Sequence, residues 1–346
     1  MQNNSITILS SRGRGISADL SLMRTHLNRE NDSSHITFRS FSKNERSVSD
    51  VQSQGAAKLR RKFCEDAVNV ICIDASLTGK ITHPEGKRLL LAAPYDYQFK
   101  NFLMLEKKEL HINTLKKFTH IIPGSPFTEK LLRSAYRLEG IEMIGNTALP
   151  LAWDLCQSGQ QKKQTDKIAF YYPEIEKKKV LTFLVTGSET DNKSFFGKMD
   201  MKEFLKRLGE GWFVFTNSEV MMENAYMLSA RYQDSFAYIN RLLQPHELLY
   251  VTDVLVTNNG RMAASFAGRE KTLYCPLCGN TFFEKYMKQY FEDMCISDVS
   301  ELLEQLSDVA SDDRIQNGFA RQFYYPGAEN PYTKTAQIME LASEND

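Results

Sequence analysis

The most constraining feature of the sequence is a series of short apolar runs that have the length of strands but lack polar alternation. Four of them are residues 69–74 (NVICID), 88–93 (RLLLAA), 179–185 (KVLTFLV) and 212–216 (WFVFT). Runs of this kind are typical of parallel sheets that are covered on both faces. Helical patterns lie between them, so the sequence predicts an α/β fold with doubly wound parallel sheets.

Weaker patterns complete the alternation of strands and helices. Further strands are predicted at residues 5–10, 35–40, 118–122, 141–145 and 235–240. Helices are predicted at residues 17–28, 126–139, 200–209, 281–294, 298–310 and 332–342. Two helix boundaries carry clear signals, because Ser125 precedes Pro126 as an N-cap and Gly209 follows an apolar helix face as a stop.

Length and polarity suggest two domains. The 346 residues fit about two domains, and residues 157–167 (QSGQQKKQTDK) form a polar stretch that we predict to be an unstructured linker. The predicted domains are residues 1–156 and 157–330, each Rossmann-like, with a tail helix in 331–346 that crosses back to the first domain. Ligands of such folds bind at the carboxyl ends of the strands and between domains.

Charge and composition argue against some classes of function. Lys and Arg number 43, as do Asp and Glu, so the net charge is zero and argues against a general nucleic-acid binder. The amino-terminal residues lack the apolar core of a signal peptide, which predicts a cytoplasmic protein. Paired lysines leave a membrane-surface role open as an alternative. Six cysteines, including Cys275 and Cys278 in a C-x-x-C, are expected to be reduced, structural thiols rather than metal ligands.

The first strand is followed by a loop that carries Arg12, Gly13, Arg14 and Gly15. Backbone N–H groups at a helix start bind anions, and the two arginines can pair with phosphate. The alternative is a tight turn with solvated arginines. We predict this loop to be part of an acceptor-side site.

Three loops of the second half follow predicted strands and carry small polar residues. They contain Thr186, Gly187 and Ser188; Asn217 and Ser218; and Asn258, Asn259, Gly260 and Arg261. A helix is predicted to begin at Met262 with free N–H groups, and Arg261 is placed to clamp a phosphate. The alternative is a set of ordinary βα turns. We predict that together these residues line a nucleotide site.

Catalytic side chains are harder to recognise. Asp96 and its neighbour Tyr95 follow the strand at 88–93, and a carboxylate there is a candidate general base. The alternative for Asp96 is a surface turn residue. Asp19 in the first helix is a second candidate. The histidines lack metal-ligand spacing, and no hydrolase motif is present, so hydrolase and zinc-enzyme functions have no support.

Two long stretches resemble a known family. Residues 247–276 (ELLYVTDVLVTNNGRMAASFAGREKTLYCP) resemble the carboxyl-terminal signature of the CDP-glycerol glycerophosphotransferases, enzymes of teichoic-acid-type polymers with the GT-B fold. Residues 118–155 resemble the family's strand, Ser-containing N-cap and helix, while residues 282–293 and 325–342 resemble its later helices. The resemblance runs in order from about residue 65 to 342. It implies two Rossmann-like domains that face each other across a cleft.

The family's functional side chains are largely replaced. Its Asp-Tyr-Ser-Ser corresponds to residues 258–261, and its Trp-His-Gly, which holds a proposed catalytic His, falls near residues 93–96 where no His occurs. Its Pro-Thr-Trp-Arg and His-Pro segments fall at residues 185–188 and 216–218. The sequence patterns of strands and helices therefore agree with those of the family, whereas the residues at its functional positions differ.

The resemblance implies a transferase that moves a sugar or polyol-phosphate group to a cell-surface glycan or lipid-linked acceptor. The donor is expected to be nucleotide-activated, for example a CDP or CMP conjugate, and no metal or other cofactor is expected. Association with a membrane surface or with further copies of the chain fits this activity. The alternative is a catalytically inactive GT-B-like partner subunit or ligand-binding module.

Overall fold

The computed structural model describes residues 6–10, 18–30, 36–40, 69–72, 88–92, 115–116, 118–136, 141–186, 195–196, 201–218, 232–239, 243–278, 281–307 and 313–339. By its contacts the chain divides into two compact units. Unit 1 takes the described residues up to Trp153 and those from Gln322 onward, and unit 2 takes those from Asp154 to Arg321. The acceptor and donor roles of the two halves stay predictions.

Strands and helices alternate through much of the described residues, as the sequence pattern predicts. The strands are β1 Ile6–Ser10, β2 Ile36–Ser40, β3 Asn69–Cys72, β4 Arg88–Ala92, β5 His120–Ile122, β6 Glu142–Met143, β7 Lys179–Phe183, β8 Trp212–Thr216, β9 Phe236–Tyr238, β10 Val254–Val256, β11 Thr272–Pro276 and β12 Cys295–Ile296. The helices are α1 Ala18–Glu30, α2 Pro126–Tyr136, α3 Pro150–Cys156, α4 Ser158–Tyr171, α5 Met201–Leu208, α6 Pro245–Leu248, α7 Gly260–Phe266, α8 Phe282–Tyr290, α9 Val299–Ser307, α10 Asp313–Phe323 and α11 Pro331–Ile338.

Unit 1 contains a parallel sheet whose described strands have the order β2-β1-β3-β4-β5-β6. Helix α2 begins as predicted, because Ser125 Oγ accepts the backbone N–H of Thr128 at 3.2 Å. Helix α11 also belongs to this unit, where the ring of Tyr332 stacks on His26 of α1 with 3.7 Å between ring centroids. The carboxyl-terminal helix is therefore part of the same unit as β1.

Unit 2 contains a second parallel sheet, with its described strands in the order β12-β11-β10-β7-β8-β9. Its strands are buried on both faces. In β8, Val214 points into a cluster with Phe183 and Phe204, while Phe213 and Phe215 point into a second cluster with Ile168. Burial of both faces explains why the apolar runs do not alternate with polar residues.

The predicted linker is wrong as to structure. Helix α4 covers most of residues 157–167 and continues to Tyr171. Its only buried residues are Ile168 and Ala169 in the last turn, so the sequence of the preceding turns has no apolar stripe that would indicate a helix. Gln and Lys have high helix propensity, and this propensity does not depend on an apolar stripe. Polar composition here marks a solvated helix.

Candidate functional site

The strand order of unit 2 reverses between β7 and β10. Strands β8 and β9 follow β7 on one side, whereas β10, β11 and β12 lie on the other, in the order of a Rossmann fold. Ligands of such sheets bind beyond the carboxyl ends of the two strands at this switch point. The residues directly after β7 and β10 are 184–186 and 257–259, and they include several of the predicted donor-site residues.

Asn258 links the two strand ends. Its Oδ1 accepts the backbone N–H of Thr186 at 2.7 Å and the Thr186 hydroxyl at 3.2 Å, and its Nδ2 donates to the Thr186 carbonyl at 2.8 Å. The same Nδ2 donates to Oε1 of Glu284 at 3.1 Å. Asn258 is buried, with 2% of its surface exposed. The amide thus extends the pairing of β7 and β10 by one residue.

Asn217 makes the equivalent contact from the other side. Its Oδ1 accepts the N–H of Val185 at 2.9 Å, and its Nδ2 donates to the Val185 carbonyl at 2.9 Å. Two asparagines, one after β8 and one after β10, therefore hold Val185 and Thr186, two consecutive residues beyond the end of β7. We call these two residues the β7 extension. Their described contacts fix the backbone, and a direct contact of either amide with a donor stays a prediction.

The start of α7 differs from the prediction. The helix begins at Gly260, and the side chain of Asn259 accepts the N–H groups of Arg261 at 3.1 Å and Met262 at 3.4 Å. Thr257 also supports this turn, because its hydroxyl donates to the Leu184 carbonyl and accepts the N–H of Asn259. The prediction of free N–H groups at Met262 was wrong, since an N-cap asparagine already binds them.

Glu284 is part of the same network and was missed in the sequence. It is buried, and it forms a capping box at the start of α8 in which Thr281 Oγ1 accepts the Glu284 N–H and Glu284 Oε2 accepts the Thr281 N–H. Its other oxygen binds Asn258. The spacing Thr-x-x-Glu is visible in the sequence and predicts the start of a helix. Its link to a residue 26 positions earlier is a tertiary contact.

The remaining predicted donor-site residues differ in exposure. Thr186 is exposed, Gly260 is buried and Arg261 is half-buried. Ser218 is buried, and its Oγ makes no hydrogen bond within the described part of the chain. Its backbone N–H donates to Thr216 Oγ1 at 3.1 Å. The structure thus brings residues 186, 217, 218 and 258–261 to the carboxyl-terminal edge of one sheet.

Asp19, one of the two predicted catalytic carboxylates, has a structural contact. It is 1% exposed, and its Oδ1 accepts the backbone N–H of Leu151 at 2.9 Å, in the first turn of α3. A carboxylate there binds an N–H group that the helix itself leaves unpaired. We therefore interpret Asp19 as a helix cap, and its catalytic role stays a prediction.

The other predicted residues lie outside the described residues. They are Arg12, Gly13, Arg14, Gly15, Tyr95, Asp96, Gly187 and Ser188. Within the described ranges, no three His, Cys, Asp or Glu side chains are grouped as they would be around a metal ion. No helix in these ranges has the length and apolarity that crossing a bilayer requires.

The fold is similar to that of several solved structures. No protein-family model and no curated protein sequence matches the chain. Solved structures do match its fold. The wall teichoic acid polymerase TagF superimposes with a TM-score of 0.67 at 12% identity, over 98% of this chain and 88% of that chain. Its H444N variant soaked with CDPG gives a TM-score of 0.70 at 12% identity, with the same coverage.

Two further structures match with lower TM-scores. A putative UDP-N-acetylglucosamine 2-epimerase from Listeria monocytogenes has a TM-score of 0.64 at 10% identity, over 99% of this chain and 98% of that chain. HepE from Anabaena, in complex with UDP and glucose, has a TM-score of 0.50 at 11% identity, over 98% and 99% of the two chains. At these identities the likeness concerns the fold, and the fold of this chain is of the GT-B type.

Proposed function

We propose that the protein is a transferase that binds a nucleotide-activated donor in unit 2, beyond the carboxyl ends of β7 and β10. The observation that carries this proposal is the reversal of strand order at these two strands, because nucleotides bind at such switch points in doubly wound sheets. Structural neighbours with ligands point the same way, since TagF was soaked with CDPG and HepE holds UDP and glucose.

The rigid part of the proposed site is the β7 extension. Asn217 and Asn258 hold the backbone of Val185 and Thr186 from both sides, so the exposed Thr186 is presented in a fixed position. Preorganised groups of this kind bind a ligand without a further loss of conformational freedom. Thr186 offers an exposed hydroxyl for ribose or phosphate, and Arg261 offers a cation for the diphosphate. Ser218 stays a predicted donor-site residue, although its Oγ is buried.

The transferred group and its acceptor follow from the family resemblance alone. We infer a sugar or polyol-phosphate group and a glycan or lipid-linked acceptor that contacts unit 1 near residues 12–15 and 95–97. Asp96 is the proposed general base. Arg261 would stabilise the leaving diphosphate in place of a metal ion.

A second candidate function is a GT-B-like module that binds a nucleotide or a partner without catalysing transfer. The observation that favours it is the use of Asn217 and Asn258 as backbone clamps at places where the family has functional side chains. An amide that holds its own chain in this way supplies neither an acid nor a base.

Thermal unfolding with CDP, UDP, GDP and CMP tests the proposed donor site. A ligand that binds only the folded protein raises Tm, by an amount that grows with its concentration relative to Kd. We expect one nucleotide to raise Tm most and Arg261→Ala to remove most of that shift. Arg207→Ala is the matched control, because Arg207 is an exposed arginine on α5 of the same unit. No shift with any nucleotide, in a folded sample, would contradict the donor site.

Turnover separates the two candidate functions. A protein that binds the nucleotide is incubated with the matching nucleotide-activated donor, and release of free nucleotide is measured with and without a lipid-linked acceptor. The transferase predicts release that depends on Asp96 and falls at least 100-fold in Asp96→Asn. Binding without release above the uncatalysed rate favours the inactive module.

A further inference from the structure

Two cysteines of unit 2 lie opposite each other on neighbouring strands. Strands β11 and β12 pair in parallel, and the register aligns Cys275 with Cys295. Paired residues of adjacent strands are about 4.8 Å apart, which is within the Cα separation that a disulfide spans. Both residues are free thiols in the structure. Strand β12 has two residues and lies at the end of the described sheet.

The two thiols have different environments. Cys275 is fully buried, whereas Cys295 is half-buried and its Sγ lies 3.6 Å from the Phe291 carbonyl oxygen. Burial, followed by its interaction with Cys295, raises the pKa of Cys275. The interaction with Cys275 lowers the pKa of Cys295, against the opposing effect of its partial burial. The more accessible thiol is therefore also the one that ionises more readily.

We propose that Cys275 and Cys295 form a thiol–disulfide modification site, whose co-reactant is a low-molecular-weight disulfide. The assignment depends on the register of β11 and β12, which pairs the two residues across neighbouring strands. It is independent of donor binding. Nothing in the predicted chemistry of a GT-B transferase uses either side chain.

The reaction has two exchange steps. The Cys295 thiolate attacks one sulfur of the small disulfide, the S–S bond of the reagent breaks, and the first reagent thiol leaves with a proton from water. Cys275 then gives its proton to water, and its sulfur attacks Cys295 Sγ and displaces the second reagent thiol. The two protein thiols are oxidised by two electrons, and one small disulfide is reduced to two thiols.

Cys278 is the competing partner. It follows Cys275 in the C-x-x-C, is also buried, and lies in a turn in which its N–H donates to the Pro276 carbonyl at 3.1 Å. The C-x-x-C spacing alone would predict a link between Cys275 and Cys278. The strand register instead favours Cys295, because it places that thiol directly opposite Cys275.

The test uses the full-length protein and oxidised glutathione as the probe. The folded protein is incubated with the reagent, remaining thiols are alkylated, and the cross-linked peptides are mapped by mass spectrometry. We expect a peptide pair that joins Cys275 to Cys295, its loss in Cys275→Ala and Cys295→Ser, and its retention in Cys156→Ser. Cys156 is the matched control, since it is a half-buried cysteine of the same unit that forms no disulfide.

Two further measurements test the proposed exchange steps. In Cys275→Ala the exchange stops after the first step, so glutathione should stay attached to Cys295; circular dichroism confirms that this variant is folded. Added dithiothreitol should restore both thiols in the wild type. Glutathionylation of Cys156 without a 275–295 link, or a link between Cys275 and Cys278, would overturn the proposal.

Discussion

Replacing Asn258 by Ala should destabilise unit 2 by about 3 kcal/mol. The substitution removes the contacts with Thr186 and with Glu284. A neutral hydrogen bond contributes about 1 kcal/mol and a bond to a charged group about 1.5–3 kcal/mol. Thr186 is exposed, so water replaces part of what its backbone loses, whereas Glu284 is 3% exposed and its carboxylate oxygen loses a partner in the protein interior. Most of the cost therefore comes from Glu284.

A double-mutant cycle measures that share. The protein has two tryptophans, so in a Trp153→Phe background the fluorescence of Trp212 reports urea unfolding of unit 2. We expect Asn258→Ala to cost about 3 kcal/mol with Glu284 present and about 1 kcal/mol in a Glu284→Ala background, a coupling of about 2 kcal/mol. Asn217→Ala is the control, because Asn217 makes the same pair of backbone bonds to Val185 and should show no coupling to Glu284→Ala. Equal costs of Asn258→Ala in the two backgrounds would refute the reasoning.

Two predictions concern unit 1, where Trp153 fluorescence in a Trp212→Phe background reports unfolding. Tyr325→Phe removes a hydrogen bond that the phenol donates to Glu129 at 2.7 Å and should cost about 1–2 kcal/mol at neutral pH. Burial and then this bond raise the pKa of Tyr325, so its contribution is complete below about pH 10, the pKa of an unperturbed tyrosine, and is lost above it; an unchanged gap between wild type and variant from pH 8 to pH 11 would contradict this. Gly124→Ala should cost about 3 kcal/mol, because φ is +75° and a Cβ would overlap the Leu149 side chain, whereas Gly327→Ala, at φ +68° with open space around it, should cost about 1 kcal/mol. Similar costs at the two glycines would show that Leu149 moves aside.

The parallel sheets could be predicted because their strands have a strong local signal. Residues 212–216 were predicted to be a strand and form β8, since an aromatic and β-branched run ends at a glycine on one side and an asparagine on the other. The strand predicted at 179–185 ends at Phe183. Leu184 and Val185 are apolar as well, but an asparagine side chain holds Val185 in place of a neighbouring strand. An apolar pattern does not distinguish these two kinds of partner.

The candidate site was predictable in position but not in its contacts. Asn217 and Asn258 were identified because they follow strands. Their actual partners, Val185 and Thr186, lie 32 and 72 residues away, and no local pattern connects positions so far apart. Helix α4 was missed because its residues are mostly polar and show no periodic apolar pattern, although Gln and Lys favour helix. Local signals thus locate elements and loops, while tertiary hydrogen bonds decide which polar side chains remain to bind a ligand.

Hydrogen–deuterium exchange of the full-length protein, with and without the nucleotide that stabilises it most, tests the central claim most directly. If the donor binds beyond β7 and β10, peptides that cover residues 184–186 and 257–261 should exchange more slowly with the nucleotide present, and this protection should be lost in Arg261→Ala but kept in Arg207→Ala. Saturating nucleotide that leaves these peptides unchanged, or that protects only peptides of unit 1, would contradict a donor site at the switch point of the second sheet.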